Sequence, residues 1–449
     1  MYKIVALLLS VFLTVTSACA ETITKTITDL GINKSAVSVS VKDVKNNHTV
    51  YSLNDKAPMA PASTLKLVTS SAAVDTLGKD YIFSTKLYKS TNNDLYLKLT
   101  GDPLFTSNDL EKLVLAAREK QIVPKTFYID DTIFDNVEWG EGWQWDDDLN
   151  PLMPKFSAYN INKNLIKIEI NPTTENSPAS ITVKPFYPLS FMNLVVTDKT
   201  RPNSIKIDRN NAIAPNMLNV TGTVSKLYTT LIPVNNPKRN FILRLEEIIS
   251  NKKFEYFDTI KNAVLPDKNV YVVDGVEHDI QTILALILKN SDNLAAESLF
   301  KHAGAVWAKT TGSSENSLAM LNKYLENIGV KSEDIKIVDG SGVSKNNLMT
   351  SDFMTDFLVY KSGEEDFEEF TQMLPAPGVG TLKNRMLYLK DNLRAKTGTL
   401  SDTSAIAGYI TTRRGRVLAF DIMINDAKTS GSDKKNIEEQ ILRNIYANY

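Results

Sequence analysis

One cysteine and three histidines in 449 residues leave little material for a disulfide framework or a metal centre. His48, His278 and His302 stand far apart without ligand spacing, so no metal and no cofactor is expected. Charge of one sign is missing too. The 51 basic and 52 acidic side chains give a formal net charge of −1, without the positive excess that nucleic-acid binding demands. Outside residues 4–15 no apolar run approaches the roughly 20 residues of a membrane span.

What is present starts with Lys3, the apolar run 4–15, and Ser17-Ala18-Cys19-Ala20 ahead of Glu21. That is the order of a secretory signal with a cleavage site after Ala20, so export to the periplasm is expected. Lipidation at Cys19 is disfavoured by Thr16, where such signals usually carry leucine. Cleavage would remove the only thiol, which suits an oxidising compartment.

The chain is organised around Pro61-Ala62-Ser63-Thr64-Leu65-Lys66. A helix beginning at Pro61 or Ala62 puts Ser63 in its first turn and Lys66 three positions on, on the same face. A partly buried lysine with a lowered pKa can take the proton from a serine hydroxyl, so no histidine is needed. The same spacing recurs at Ser250, Ser298 and Ser432, where it reads as a solvated helix face. Ser63 is set apart by its proline-bounded start and the apolar run behind it. Ser291-Asp292-Asn293 follows an apolar helix and offers a hydroxyl for proton relay and a carboxamide for a substrate amide. Lys396-Thr397-Gly398, continued by Thr399, lies on a strand. There glycine permits close approach of an extended peptide, and Lys396 and the threonine hydroxyls can bind a carboxylate. The amides of Ser63 and Thr399 are the natural oxyanion donors.

In chain order, strands at 36–41 and 49–52 form a hairpin feeding the Ser63 helix, which should end near Gly78. Residues 81–264 read as an inserted, largely β region with a helix near 241–250. From 265 the pattern is α/β, with helices at 280–288, 294–302 and 352–360 and strands at 393–400, 404–412 and 417–424. The amphipathic segment 437–446 reads as a helix packed on a sheet rather than a membrane anchor.

Ser-x-x-Lys, Ser-x-Asn and Lys-Thr-Gly in this order resemble the signature of penicillin-binding proteins and serine β-lactamases. Ser291 lies 228 residues after Ser63. That long gap is similar to the class C low-molecular-mass penicillin-binding proteins, the D-alanyl-D-alanine carboxypeptidase/endopeptidase family. Gly101-Asp102-Pro103, the stretch WGEGWQWDDD at 139–148, Asp339-Gly340-Ser341-Gly342, and Leu374-Pro375 through Gly380-Thr381-Leu382 extend the likeness over nearly the whole mature chain; only the loop 377–380 looks a residue short.

The resemblance implies a mixed α/β fold. A transpeptidase-like domain, an antiparallel sheet flanked by helices, would come in two pieces (21–80 and 265–449), with a smaller unit nested in the insertion at about 166–236. By motif, Ser63 would be acylated, with Lys66 as its base and Ser291 and Lys396 as the relay. Asn293, Thr397, Gly398 and Thr399 would meet the substrate. Trp139, Trp143 and Trp145 with Asp146 to Asp148 read equally well as core under a solvated acidic loop or as a rim for a diamino acid's free amine. The family's use of an aspartate here points to Asp147. Implied partners are peptidoglycan peptides and, as covalent inhibitors, β-lactams. A homodimer and weak membrane association stay open. A serine β-lactamase is the alternative enzyme, but no glutamate between Asn293 and Lys396 has asparagine four residues on, as deacylation in class A requires. A non-catalytic penicillin-binding sensor would have no need of Ser63, Lys66, Ser291 and Lys396 together.

Overall fold

The computed structural model describes residues 23–29, 31–209, 214–251 and 259–449. The expected signal segment 1–20, with Cys19, lies outside the described residues.

Strands β1 (Val37–Asp43) and β2 (His48–Leu53) form the first hairpin. Asn47 takes a positive φ in its turn, and the Asn46 side chain accepts from the His48 amide. A 3₁₀ turn, Ala62–Leu65, then runs into helix α1 (Lys66–Leu77), which stops at Gly78 with φ 90°. Ser63 therefore sits in a 3₁₀ turn ahead of the α-helix rather than in its first turn.

The insertion follows with β3 (Ile82–Ser90), β4 (Leu95–Lys98), α2 (Ser107–Glu119), β5 (Thr126–Asp130), β6 (Leu165–Asn171), β7 (Ser180–Lys184), β8 (Ser190–Thr197), β9 (Ser204–Arg209), β10 (Met217–Val224), β11 (Tyr228–Pro233), α3 (Pro237–Asn251), β12 (Thr259–Asn262) and β13 (Val270–Asp279). A mixed sheet of order β12-β5-β4-β3-β13 packs on α2 and α3 through Leu87, Phe127, Leu110, Leu113 and Phe241. Two three-stranded sheets, β11-β6-β7 and β8-β10-β9, share a smaller core around Ile168, Val195 and Val220.

The boundary expected at 265 needs correction. β13 pairs antiparallel with β3 along its whole length, so the inserted sheet runs to Asp279. Asp279 then caps the next helix by accepting from the Thr282 amide. The insertion is also less purely β than expected, since it carries α2 as well as α3.

The remaining chain holds α4 (Ile280–Asn290), α5 (Asn293–Ala308), α6 (Ser314–Ile328), α7 (Ser351–Ser362), α8 (Phe367–Met373), β14 (Leu393–Thr399), β15 (Thr403–Thr411), β16 (Val417–Asn425) and α9 (Gly431–Asn448). The main sheet is antiparallel, in the order β14-β15-β16-β1-β2. One face packs on α9 through Ile406, Ile410, Phe420 and Ile422 against Ile437, Ile441 and Ile445. The segment 437–446 thus packs on the sheet, and the membrane reading of it falls. The other face, with Ala407, Tyr409 and Ala419, packs on α1, α4, α5 and α7. β1 was expected to be half-buried but is buried at all seven positions. Its outward-pattern serines face α7 and bond to it, Ser38 to Ser351 and Ser40 to Thr355, each at 2.7 Å. Among the described residues no helix is long and apolar enough to cross a membrane.

Candidate active site

The 3₁₀ turn that carries Ser63 is held by its own backbone and by two glycines from elsewhere. Ala62 has φ 49°, and the Pro61 carbonyl accepts from the Thr64 amide at 3.3 Å and from the Thr64 hydroxyl at 2.8 Å. Gly342, itself at φ 77°, passes so close that a Cβ there would lie 2.0 Å from the Ala62 carbonyl oxygen. A Cβ on Gly398 of β14 would lie 2.9 Å from the Ser63 amide nitrogen. Neither approach is open to a larger residue.

Lys66 is completely buried, while Ser63 is only half so. The Lys66 Nζ donates to Ser63 Oγ at 2.8 Å, to Asn293 Oδ1 at 2.7 Å and to the Ser341 carbonyl at 2.6 Å. Burial lowers its pKa to about 8 against the pull of Asp339, Glu297 and Asp292. About one molecule in ten then carries a neutral amine at pH 7, with a lone pair free to accept the serine proton.

Ser291 ends α4 in the left-handed conformation, φ 61°. Asp292 caps α5 by accepting from the Ala295 amide, and Asn293 is the first residue of that helix. This tight helix–turn–helix directs Ser291 and Asn293 to the same place. Lys396, also completely buried, donates to Ser291 Oγ at 2.7 Å and to the Thr397 carbonyl at 2.8 Å. Burial and then the nearby Lys66 charge hold its pKa well below the usual lysine value. Thr397 donates to Thr381 Oγ1 at 2.7 Å, and Thr399 is exposed at the strand end. β14 is an edge strand of the main sheet, so an extended peptide can add beside it.

The structure thus gathers Ser63, Lys66 and Asn293 into one hydrogen-bonded group and Ser291 and Lys396 into a second, near enough for the Lys66 charge to act on Lys396, and the two make one cluster with Thr397, Gly398 and Thr399 along its edge. Asp147 is outside that cluster. It belongs to a 3₁₀ turn, Trp145–Asp147, and its carbonyl accepts from the Asn150 amide at 2.9 Å. Trp143 is core, packed with Met153, Phe156 and Leu294, and its indole donates to Asp339 at 2.9 Å. Trp145 is 79% exposed. Four residues beyond Asp148 the chain touches the cluster, where the Asn293 carboxamide donates to the Leu152 carbonyl at 2.8 Å.

Sequence reasoning missed Glu297. It is buried, one turn after Asn293, and accepts from the amides of Gly340 and Ser341 at 3.1 and 2.8 Å. Asp339 accepts from the Gly342 and Ser344 amides at 2.7 Å. Together the two carboxylates shape the loop that presents the Ser341 carbonyl to Lys66. Burial, and then the charge of Asp339, push Glu297 up to about 7. An acid within Leu-Ala-Ala-Glu-Ser-Leu, at helical spacing from Asn293, is the signal that could have found it.

This is the architecture of penicillin-binding serine peptidases. The crystal structure of penicillin binding protein 4 (dacB) from Haemophilus influenzae superposes with a TM-score of 0.79, covering 92% of this chain and 98% of that one at 25% identity. Residues 19–447 match the D-Ala-D-Ala carboxypeptidase 3 (S13) family, and the chain belongs to it. Similar relatives include the D-alanyl-D-alanine carboxypeptidase of Actinomadura sp. (strain R39), 28% identical over 90% of this chain and 80% of that protein. The D-alanyl-D-alanine carboxypeptidase DacB of Haemophilus influenzae is 25% identical over 92% of this chain and 90% of its own length.

Proposed function

We propose that Ser63 is the nucleophile of a periplasmic D-Ala-D-Ala carboxypeptidase that also cleaves peptide cross-links of the wall. The observation that carries this reading is the 2.8 Å bond between a buried, pKa-lowered Lys66 and Ser63 Oγ. Neutral Lys66 takes the hydroxyl proton as Oγ attacks the penultimate D-Ala carbonyl. The oxyanion lies between the amides of Ser63 and Thr399. Collapse breaks the C–N bond, and the leaving amine receives its proton through Ser291, whose oxygen is bonded to Lys396. Water then hydrolyses the ester by the reverse proton path. The peptide lies along the β14 edge, with Asn293 on its amide and Thr397, Thr399 and Lys396 on its terminal carboxylate. That carboxylate supplies the negative charge that favours the ammonium form of Lys396. Asp147 meets the amine of the diamino acid. An endopeptidase substrate differs only in a larger leaving group, and β-lactams acylate the same oxygen.

Intact-protein mass after brief exposure to benzylpenicillin tests this. A stable adduct is expected on the wild type and none on Ser63→Ala; no adduct on either would sink the nucleophile assignment, and rapid loss of the adduct with drug turnover would turn the reading to a β-lactamase.

Glu297 offers a second test. Its charge raises the Lys66 pKa, so Glu297→Gln should move the rising limb of the acylation–pH profile to lower pH. The shift should be roughly one unit, the equivalent of ~1.4 kcal/mol, with a reduced plateau from the loosened loop. A profile unmoved in pH would mean that Glu297 acts on the loop alone.

A further inference from the structure

Beside the segment 139–155 lies a cleft of about 560 Å³, within the roughly 300–1,000 Å³ range of small-ligand sites. One wall is that segment, with Trp145 and Lys155; the other comes from the two small sheets and α3, with Tyr187, Asn216, Asn235 and Arg239. Arg209 forms part of its floor. Its guanidinium is fixed by Asp148 Oδ2 at 3.1 Å and by the Pro233 carbonyl at 3.2 Å, with the side chain only 2% exposed.

The cleft is organised before anything enters it. Asn235 accepts from the Tyr187 hydroxyl and donates to Asn216 Oδ1 at 2.8 Å. Lys155 donates to the Asn235 carbonyl at 2.8 Å, tying the two walls together. Arg209 is paired closely with Asp148, whereas Lys155 and Arg239 reach their carboxylates, Glu138 and Glu246, only at 3.7 and 4.0 Å. Both of these cations stay partly exposed beside an indole in water.

An exposed indole face suits the C–H face of a pyranose ring. Fixed carboxamides suit hydroxyl and acetamido groups, and partly exposed cations suit a carboxylate. All three requirements meet in one ligand class, an N-acetylated amino-sugar disaccharide joined to a peptide with a free carboxylate. One short stretch of chain joins the two places: Leu152, whose carbonyl accepts from Asn293 in the catalytic cluster, is three residues from Lys155 in the cleft, at most about 11 Å of chain. A stem peptide spans about 3.3–3.6 Å per residue, so the four residues before the terminal D-Ala bridge roughly 14 Å.

We propose that this cleft binds the glycan end of the substrate while the peptide end lies at Ser63. The proposal rests on the reading of Ser63 given above. In Ser63→Ala protein, which cannot turn over, affinity would be measured by calorimetry for a disaccharide-pentapeptide and for the same pentapeptide without sugar. The sugar-bearing ligand is expected to bind about tenfold more tightly, and Trp145→Ala or Arg239→Glu, each added to Ser63→Ala, should erase that preference. With Ser63 intact, Arg239→Glu should acylate with benzylpenicillin at the wild-type rate, since the drug has no sugar to reach the cleft. Equal affinity for the two ligands, or a preference that survives both substitutions, would overturn the cleft assignment while leaving Ser63 untouched. Failure of the wild type to acylate would instead overturn the underlying reading.

Discussion

Replacing Lys66 by methionine is expected to slow acylation of Ser63 by about 10²–10⁴-fold, the usual worth of a positioned general base. The second-order rate with benzylpenicillin measures it. In the wild type that rate should rise with pH until about 8, as Lys66 loses its proton; in the variant this limb should vanish. Stability provides the control. The folded pKa of Lys66 lies below the ordinary lysine value of 10.5, so between about 8 and 10.5 the unfolded state binds more protons and stability rises with pH. At neutral pH the buried ammonium costs roughly 3 kcal/mol. Methionine removes that cost but strips the donor from Asn293 Oδ1 and the Ser341 carbonyl, at about 1–3 kcal/mol for each orphaned acceptor. The melting temperature should stay within a few degrees of wild type, so the lost rate can be assigned to chemistry. An unchanged rate would remove Lys66 from its role.

Gly342→Ala should act through space rather than charge. The left-handed backbone alone costs a residue with a Cβ about 1–2 kcal/mol. The new methyl would also lie 2.0 Å from the Ala62 carbonyl oxygen, which forces the Ser63 turn and the 339–342 loop apart. A total loss of roughly 3–5 kcal/mol places this among the severe single substitutions, and thermal unfolding should show a drop of about 5 °C or more. Acylation should fall at least tenfold, since the turn that moves carries the nucleophile. Gly329→Ala is the comparison. That residue has a similar φ of 69° with open space around it, so it should lose only the conformational part and keep its acylation rate. Equal losses in the two variants would mean that the close approach at Gly342 is not what fixes the turn.

How much of this was legible depended on whether the determining contacts were local. Ser63 with Lys66, Ser291 with Asn293, and Lys396 to Thr399 each sit within a few residues, and their chemistry could be read from residue type and spacing. The three final strands and the helices expected at 280–288 and 352–360 were likewise close to their observed bounds, because the period of their apolar residues is local; α5 runs on to Ala308, past the expected 302, and α6 and α8 were not expected. α2 was missed although Thr106 and Asp109 form a capping box ahead of Leu110, Leu113, Val114 and Ala117; the signal was there and the turn-rich surroundings hid it. The partner of β13 was out of reach for a physical reason. Its pairing with β3 is set by packing between segments nearly two hundred residues apart. The burial of Trp143 and Glu297 has the same origin, since each is decided by the 339–342 loop.

The place of β1 in the main sheet also sets a timetable. It lies between β2 and β16, with Val37 opposite Ile424. A chain emerging from its N-terminus must hold β1 with one edge vacant until almost all of its sequence has appeared. Pairings this remote in sequence slow folding and leave edges open to wrong partners meanwhile. The inserted sheets have nearer partners and can form while β1 waits. Reactivity toward Ser63 should therefore arrive last, with the closing of the C-terminal strands, so that incomplete chains carry the nucleophile without its chemistry.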